Sequence, residues 1–380
     1  MSVLFTGATG FLGSRVVRRL LAEDTDEPVH VLGRGPRERL RSRTEAAVSW
    51  LREPALPPGA LDRLRYVEAD LRAPGLGLDG EERADVTADC TEIWHCAANV
   101  ALEGRPETVF TTNVHGTRRV LELAERAPRA RLVHMSTGFV AGLRTGHVLE
   151  DDLSDEAGFL NFYEESKYHA ERLVRQWSAR TGRPVTVLRP TQLVTDASIP
   201  EDLPQQTVTL LLRVLETAFR ERAAEDPYLA RLLAGEDLSG SGMTLRVPGD
   251  PGGRVNMLSV DDAADLAVAV ARAHRARPRP GVRAVHLAHP SDTGFADAKY
   301  ALETLYPGVT VVMTPVVADP DPYETMLARS FAPWLAFSGE RRTYDRAHLL
   351  ADVPGLPDPT PVDGAYLARA LRRPTVPAAA

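Results

Sequence analysis

Thr6-Gly7-Ala8-Thr9-Gly10-Phe11-Leu12-Gly13 is the stretch that decides the fold. It follows a short apolar run, Val3-Leu4-Phe5, and opens a segment in which Phe11, Leu12, Val16, Val17, Leu20 and Leu21 recur at helical spacing. Glycines at 7, 10 and 13 give a G-x-x-G-x-x-G pattern, a relative of the dinucleotide fingerprint. In that setting Gly7 permits the tight turn, Gly10 lets the backbone approach a pyrophosphate, and Gly13 lets the helix pack closely. The helix N-terminus then offers free N–H groups and a positive dipole end to phosphate oxygens. Candidate cofactor contacts in the turn are therefore Gly7, Thr9, Gly10, Phe11, Leu12 and Gly13. A purely structural glycine turn is the other reading, and the strand–turn–helix context weighs against it.

Further apolar runs follow at 29–32, 64–68, 92–96, 132–135 and 185–188, separated by helical patterns such as Val120, Leu121 and Ala124. The runs are continuous rather than alternating, which suits strands covered on both faces. A βαβαβ order predicts an α/β fold, a Rossmann-type doubly wound parallel sheet with a smaller C-terminal substrate-binding region. The expected core is 1–190, with 255–290 returning to it, and the substrate-binding region is 191–254 and 291–380. The insert from Gly35 to Arg63 reads as helix plus loop. Thr207 to Arg222 reads as an apolar helix carrying Leu210, Leu211, Leu212, Leu215 and Phe219; it is either a channel wall or plain core. Gly235 to Gly253 reads as a mobile glycine-rich loop, and Pro374 to Ala380 as a disordered tail.

Composition excludes several classes. The chain has 380 residues, 43% apolar and 26% charged, with net charge −7, so nucleic acid is not an expected partner. Two cysteines, Cys90 and Cys96, are too few for a disulfide scaffold or a four-ligand zinc site, and a reduced pair is expected. No apolar run approaches the roughly 18 residues of a membrane span. No basic region precedes an apolar stretch at the N-terminus, so a cytoplasmic location is expected.

Two further groups of residues carry chemistry. Leu32-Gly33-Arg34 ends the second strand without a carboxylate, and an arginine there suits a ribose 2′-phosphate, favouring NADP(H). Tyr163 and Lys167 stand four apart, on one face of a predicted helix. A phenol ordinarily has a pKa near ~10, and an adjacent ammonium is expected to lower it. A tuned Tyr163 would exchange a proton with a carbonyl or alcohol oxygen, while Lys167 can also hold ribose hydroxyls. Ser136 and Thr137 end the fifth strand, where a hydroxyl can assist a developing oxyanion. A strand-end cap is the plainer reading of that Ser-Thr pair.

Together these elements resemble the extended short-chain dehydrogenase/reductases over roughly residues 1 to 290, and within them thioester reductases and fatty acyl-CoA reductases. Three further stretches carry the resemblance. Glu68-Ala69-Asp70-Leu71-Arg72-Ala73-Pro74-Gly75-Leu76-Gly77-Leu78 is similar to G-D-L-x-x-P-x-L-G-L. Ile93-Trp94-His95-Cys96-Ala97-Ala98-Asn99-Val100 is similar to I-x-H-x-A-A-x-V, and Asn113-Val114-His115-Gly116-Thr117 to N-V-x-G-T. The resemblance implies that Asp70 and Leu71 border the adenine and that Ala97 and Ala98 line the nicotinamide. It implies that Asn113 holds an active-site helix or water, that Thr137 is the catalytic hydroxyl, and that the backbone at Arg189-Pro190 meets the nicotinamide. Val260-Asp261-Asp262 is similar to a structural V-D motif. Val140-Ala141-Gly142 departs from the V-Y-G of sugar-nucleotide members, which lowers the case for a sugar substrate.

The resulting expectation is NADPH-dependent reduction of a coenzyme A or carrier-protein thioester to aldehyde or alcohol, in secondary metabolism, through Thr137, Tyr163 and Lys167. Alternatives are an NADP-dependent aldehyde or ketone reductase, an alcohol dehydrogenase, a nucleotide-sugar epimerase or dehydratase, or a non-enzymatic NADP sensor. Retained Tyr163 and Lys167 argue against the sensor.

Overall fold

In the computed structural model, β1 (Ser2–Thr6), β2 (Val29–Gly33), β3 (Leu64–Glu68), β4 (Cys90–His95) and β5 (Arg131–Met135) fall on the apolar runs. A short strand β6 (Gly146–Val148) and β7 (Val185–Pro190) follow. The main sheet runs Val282–Leu287, β7, β5, β4, β1, β2, β3. Every pairing in it is parallel. The order reverses direction between β1 and β4, which makes the carboxyl ends of those strands the switch point where ligands of such sheets gather. The structure describes residues 1–372 except 225, 235, 237, 239–241, 323, 327, 330–338 and 340. The expected tail 374–380 lies outside the described residues.

Helices α1 (Phe11–Ala22), α2 (Arg37–Trp50), α3 (Gly80–Ala88), α4 (Pro106–Phe110), α5 (Gly116–Glu125) and α6 (Phe162–Thr181) connect the strands. The sheet is covered on both faces, so the strands carry apolar residues outward and inward alike. Leu4, Ile93, Leu132 and Val187 join Val120, Leu121, Ala124, Val174 and Trp177 in one core under α5 and α6. On α1, Arg15 reaches Asp261 at 3.3 Å, pairing that helix with Val260–Ala276. The aspartate of the V-D motif thus anchors helix to helix.

The chain forms two units, each with its own internal contacts. The first comprises Met1–Thr191, Val260–Ala288 and Tyr344–Asp358; the second comprises Gln192–Ser259, His289–Thr343 and Pro359–Ala380. The sequence division placed all of 291–380 outside the sheet-bearing core, whereas 344–358 belongs to the first unit. The tie is electrostatic: Asp352 is held by Arg283 Nε and His274 Nε2, both at 2.9 Å.

In the second unit, the helix Thr207–Ala223 forms as expected. Its Phe219 is buried with Leu229, Leu232, Leu245, Val309 and Val311, so at this position the core reading holds and the channel wall does not. The side chains of Leu210, Leu211, Leu212 and Leu215 lie outside the described residues. The expected mobile loop 235–253 contains a strand, Met243–Pro248, paired in parallel with Val309–Thr314. Its β-branched and apolar residues bury Leu245, which outweighs the flanking glycines. No described helix is long and apolar enough to cross a membrane.

Candidate active site

The glycine turn is shaped by backbone contact. Gly7 adopts φ +85°, and a Cβ there would lie 2.7 Å from the Ala97 nitrogen. A Cβ on Gly13 would lie 2.0 Å from the Gly7 carbonyl oxygen, so only glycine lets α1 start against the turn. The Gly10 N–H donates to Gly7 O at 2.9 Å and closes the turn. Gly10 caps α1 without a side chain, and no acid occupies the first turn. Thr9, Gly10, Phe11 and Leu12 are partly exposed around this uncapped end. A helix start of this kind fits an anionic diphosphate.

Arg34 is exposed beyond β2. Asp70 sits nearby in charge terms: hydrogen bonds from Arg72 pull its carboxyl below the usual range, burial opposes this, and Arg34 adds to the lowering. The Asp70 carboxylate is gripped by Arg72 Nη2 at 2.7 Å. Leu71 packs against Gly116, where a Cβ would approach the Leu71 Cβ to 3.0 Å.

A second assembly forms where β5 ends against α6. Asn161 caps α6 by accepting the Glu164 N–H at 3.0 Å, which sets the first turn. Tyr163, Lys167 and Glu171 then follow at four-residue intervals along one face. Three consecutive residues of the strand end meet them. The Met135 carbonyl accepts from Lys167 Nζ at 2.6 Å, Ser136 Oγ donates to Glu171 Oε2 at 2.8 Å, and Thr137 neighbours the Tyr163 phenol. Thr137 Oγ1 also contacts Pro190 O at 3.4 Å, bringing the Arg189-Pro190 step to the same corner. Of the two candidate hydroxyls, Ser136 is committed to Glu171, and Thr137 is the one that meets the phenol.

The charges of this corner correct one expectation. Lys167 was expected to make Tyr163 acidic. Burial instead pushes the Tyr163 phenol up to about 12; its hydrogen bond with Thr137 pulls down and Glu164 pushes up, and Lys167 has no resolved part in the shift. Burial likewise brings Lys167 down to about 8, against the raising influence of Cys96 and Glu171. Desolvation outweighs the expected pairing because the ammonium is spent on a backbone carbonyl.

Asn113 lies in a π-helical turn, Thr111–His115, at the entry to α5. Such turns break the regular ladder and leave a side chain free to bridge. Its Oδ1 accepts from Asn99 N at 2.7 Å, and its Nδ2 donates to Asn99 O and to Ser166 Oγ, each at 2.9 Å. Ser166 Oγ donates in turn to Tyr163 O at 2.8 Å. Asn113 therefore ties the loop after β4, which carries Ala97 and Ala98, to the helix that carries Tyr163 and Lys167. Cys90 and Cys96 are both free.

Sequence reading missed the buried ion pair behind this corner. Arg189 and Glu171 are both fully buried and meet at 2.7 Å and 3.0 Å. Burial raises the Glu171 carboxyl, but the Arg189 charge and hydrogen bonds, with Arg175 and Ser136, bring it down to about 2. The signal was present: an arginine inside the apolar run 185–190 must find an acid. Lys167-x-x-x-Glu171 puts one on the same helix face.

The sheet, its switch point and the glycine turn define a Rossmann-type dinucleotide-binding protein. The chain belongs to the Male sterility protein family of NAD-binding domains, whose model matches residues 5–226. It is 36% identical over 191 residues to an isonitrile lipopeptide synthase of Streptomyces coeruleorubidus, covering 49% of this chain and 13% of that protein. It is 25% identical over 224 residues to the fatty acyl-CoA reductase wat of Drosophila melanogaster, covering 51% and 43%. The chain thus spans less than half the length of either relative. Among solved structures, the terminal R domain of the myxalamid PKS-NRPS biosynthetic pathway has the same fold, with TM-score 0.74 and 24% identity over 97% of this chain and 89% of that one.

Proposed function

We infer that this chain is an NADPH-dependent reductase of acyl thioesters, held on coenzyme A or on a carrier protein, yielding an aldehyde or alcohol. The observation that carries the reading is the corner where β5 meets α6: Lys167 Nζ donates to Met135 O at 2.6 Å, one helical turn from a Tyr163 phenol that lies by Thr137 and stays protonated at neutral pH. A protonated phenol at a strand end is suited to donate to a carbonyl oxygen as charge develops there. Family membership and the likeness to a fatty acyl-CoA reductase support the substrate class. The glycine turn supports a dinucleotide, and Arg34 in place of a carboxylate favours the 2′-phosphate form.

When bound, the reduced nicotinamide supplies the hydride that the thioester carbonyl carbon accepts. Tyr163 Oη gives its proton to the carbonyl oxygen, and Thr137 Oγ1 orients that phenol. The resulting hemithioacetal loses thiol and leaves an aldehyde; a second reduction gives the alcohol. Gly7, Thr9, Gly10, Phe11, Leu12 and Gly13 cradle the diphosphate. Asp70 and Leu71 border the adenine, Ala97, Ala98 and Pro190 line the nicotinamide end, and Lys167 holds ribose hydroxyls. Asn113 positions α6. The second unit, with its own core around Phe219, is assigned to the acyl substrate.

The test is incubation with NADPH and an acyl-coenzyme A or acylated carrier protein, following cofactor oxidation, free thiol and product mass. Equal amounts of thiol and aldehyde per NADPH are expected, or half that amount of alcohol. Turnover of a free aldehyde or ketone with no thiol released from any thioester overturns the substrate assignment.

A further inference from the structure

The motif Ile93-Trp94-His95-Cys96-Ala97-Ala98 contributes a side chain that the reaction above does not use. His95 ends β4, is 2% exposed, and is bonded through both ring nitrogens. Its Nδ1 lies 2.9 Å from Thr6 Oγ1, at the strand end that opens the glycine turn. Its Nε2 lies 2.9 Å from Thr117 Oγ1 on α5. The outer links extend the chain: Ala97 N donates to Thr6 Oγ1 at 3.3 Å, and Thr117 Oγ1 donates to Asn113 O at 2.6 Å.

The carbonyl end fixes the direction of the bonds up to His95 Nε2. A carbonyl only accepts, so the Thr117 proton is committed to Asn113 O, and Thr117 must accept from His95. His95 therefore carries its proton on Nε2. In a neutral ring Nδ1 is then an acceptor and takes the Thr6 hydroxyl proton, while Thr6 Oγ1 accepts from Ala97 N. The neutral Nδ1–H tautomer is thereby excluded; of the two remaining forms, the Nε2–H ring and the imidazolium, burial favours the neutral one. Burial, with Lys167 adding, pushes the His95 ring down to about 3, which agrees. The chain begins at the amide that packs against Gly7 and ends on the π-helical turn whose Asn113 side chain holds Asn99 and Ser166.

We propose that His95 is a positioning residue that couples the dinucleotide turn to the helix bearing Tyr163, through a one-directional hydrogen-bond chain from Ala97 N to Asn113 O. The proposal rests on the reductase reading for its kinetic consequence, though not for its geometry. A chain of this kind does more than satisfy buried polar atoms. It fixes the loop at Ala97 relative to α6, so an error at either end misplaces the other.

The experiment compares wild type, His95→Leu, His95→Gln and Thr117→Val. Glutamine offers one acceptor and one donor, as the neutral ring does; leucine offers neither. Nitrogen-15 NMR of the wild-type imidazole at neutral pH is expected to show the neutral Nε2–H tautomer. His95→Leu is expected to weaken NADPH binding and to lower kcat at saturating NADPH, each about 10-fold or more. His95→Gln is expected within about three-fold of wild type in both. Thr117→Val, which keeps the ring bonded to Thr6, lowers kcat more than it weakens binding and keeps the test open if His95→Leu does not fold. An Nδ1–H tautomer, or a glutamine variant no better than leucine, or variants that lose thermal stability with binding and kcat intact, overturns the proposal. The tautomer and binding arms need no substrate, so a wild type that binds NADPH yet reduces no thioester refutes the reductase reading while leaving His95 decided.

Discussion

The glycine turn and the strand-end corner around Tyr163 are built by opposite means. The turn is backbone against backbone: a Cβ on Gly13 would sit 2.0 Å from a carbonyl oxygen, and no side chain caps α1. The corner is side chain against side chain, with a buried lysine and a buried arginine–glutamate pair beside a half-buried tyrosine. Steric demands leave a mark in residue type and spacing, so the turn is readable in the sequence. Desolvation depends on what is packed around a group, so the electrostatic state of the corner is not.

The two regions should fail differently. The largest expected effect is at the corner: Tyr163→Phe lowers kcat by about 10² to 10⁴ and leaves NADPH affinity near wild type. Steady-state kinetics with a separate binding titration measures that split. Glu171→Ala strands Arg189 in the core and is expected to cost about 3–5 kcal/mol of stability, measured by urea denaturation. Comparable losses of NADPH binding and stability in both variants would dissolve the distinction between a reacting group and its support.

Acid should act on the corner before the turn. Glu171 is held at about 2 in the folded chain, below its ordinary carboxylate value. Its stabilisation is therefore complete above that ordinary value, near ~4.3, and is lost as pH falls from there to about 2. The loss is on the order of 3 kcal/mol, and Glu171→Gln flattens it in a pH series of melts. Smaller effects belong to the turn. Gly13→Ala is expected to weaken NADPH binding by about 100-fold, because the backbone must shift to admit the methyl group. Arg34→Ala is expected to raise the KM for NADPH about 10-fold and leave that for NADH nearly unchanged if the exposed Arg34 pairs with the 2′-phosphate as proposed.

Particular residues show where legibility stops. The parallel sheet was readable through β1 to β5 and β7 because their apolar runs are covered on both faces. The strand Val282–Leu287 was not named, since its register is set by β7, nearly a hundred residues earlier, and not by a local turn. Met243–Pro248 was mistaken for loop because glycines flank it, while its partner Val309–Thr314 lies far along the chain. Tyr163, Lys167 and Thr137 were singled out by spacing and resemblance, and they lie at one strand end. What spacing could not tell was that Lys167 spends its ammonium on Met135 O, or that Ser136 turns to Glu171 rather than toward Tyr163. Those outcomes depend on which buried acceptor lies nearest, a property of the packed corner alone.

A single-turnover experiment addresses the central claim most directly. Enzyme premixed with NADPH is mixed with an acyl thioester, and cofactor oxidation and thiol release are followed together in wild type and Tyr163→Phe. The account predicts thiol release rising with the first equivalent of NADPH oxidised in wild type, and both slowed by at least about 10² in the variant. Thiol release that begins before any NADPH is oxidised, or a variant as fast as wild type, would contradict it.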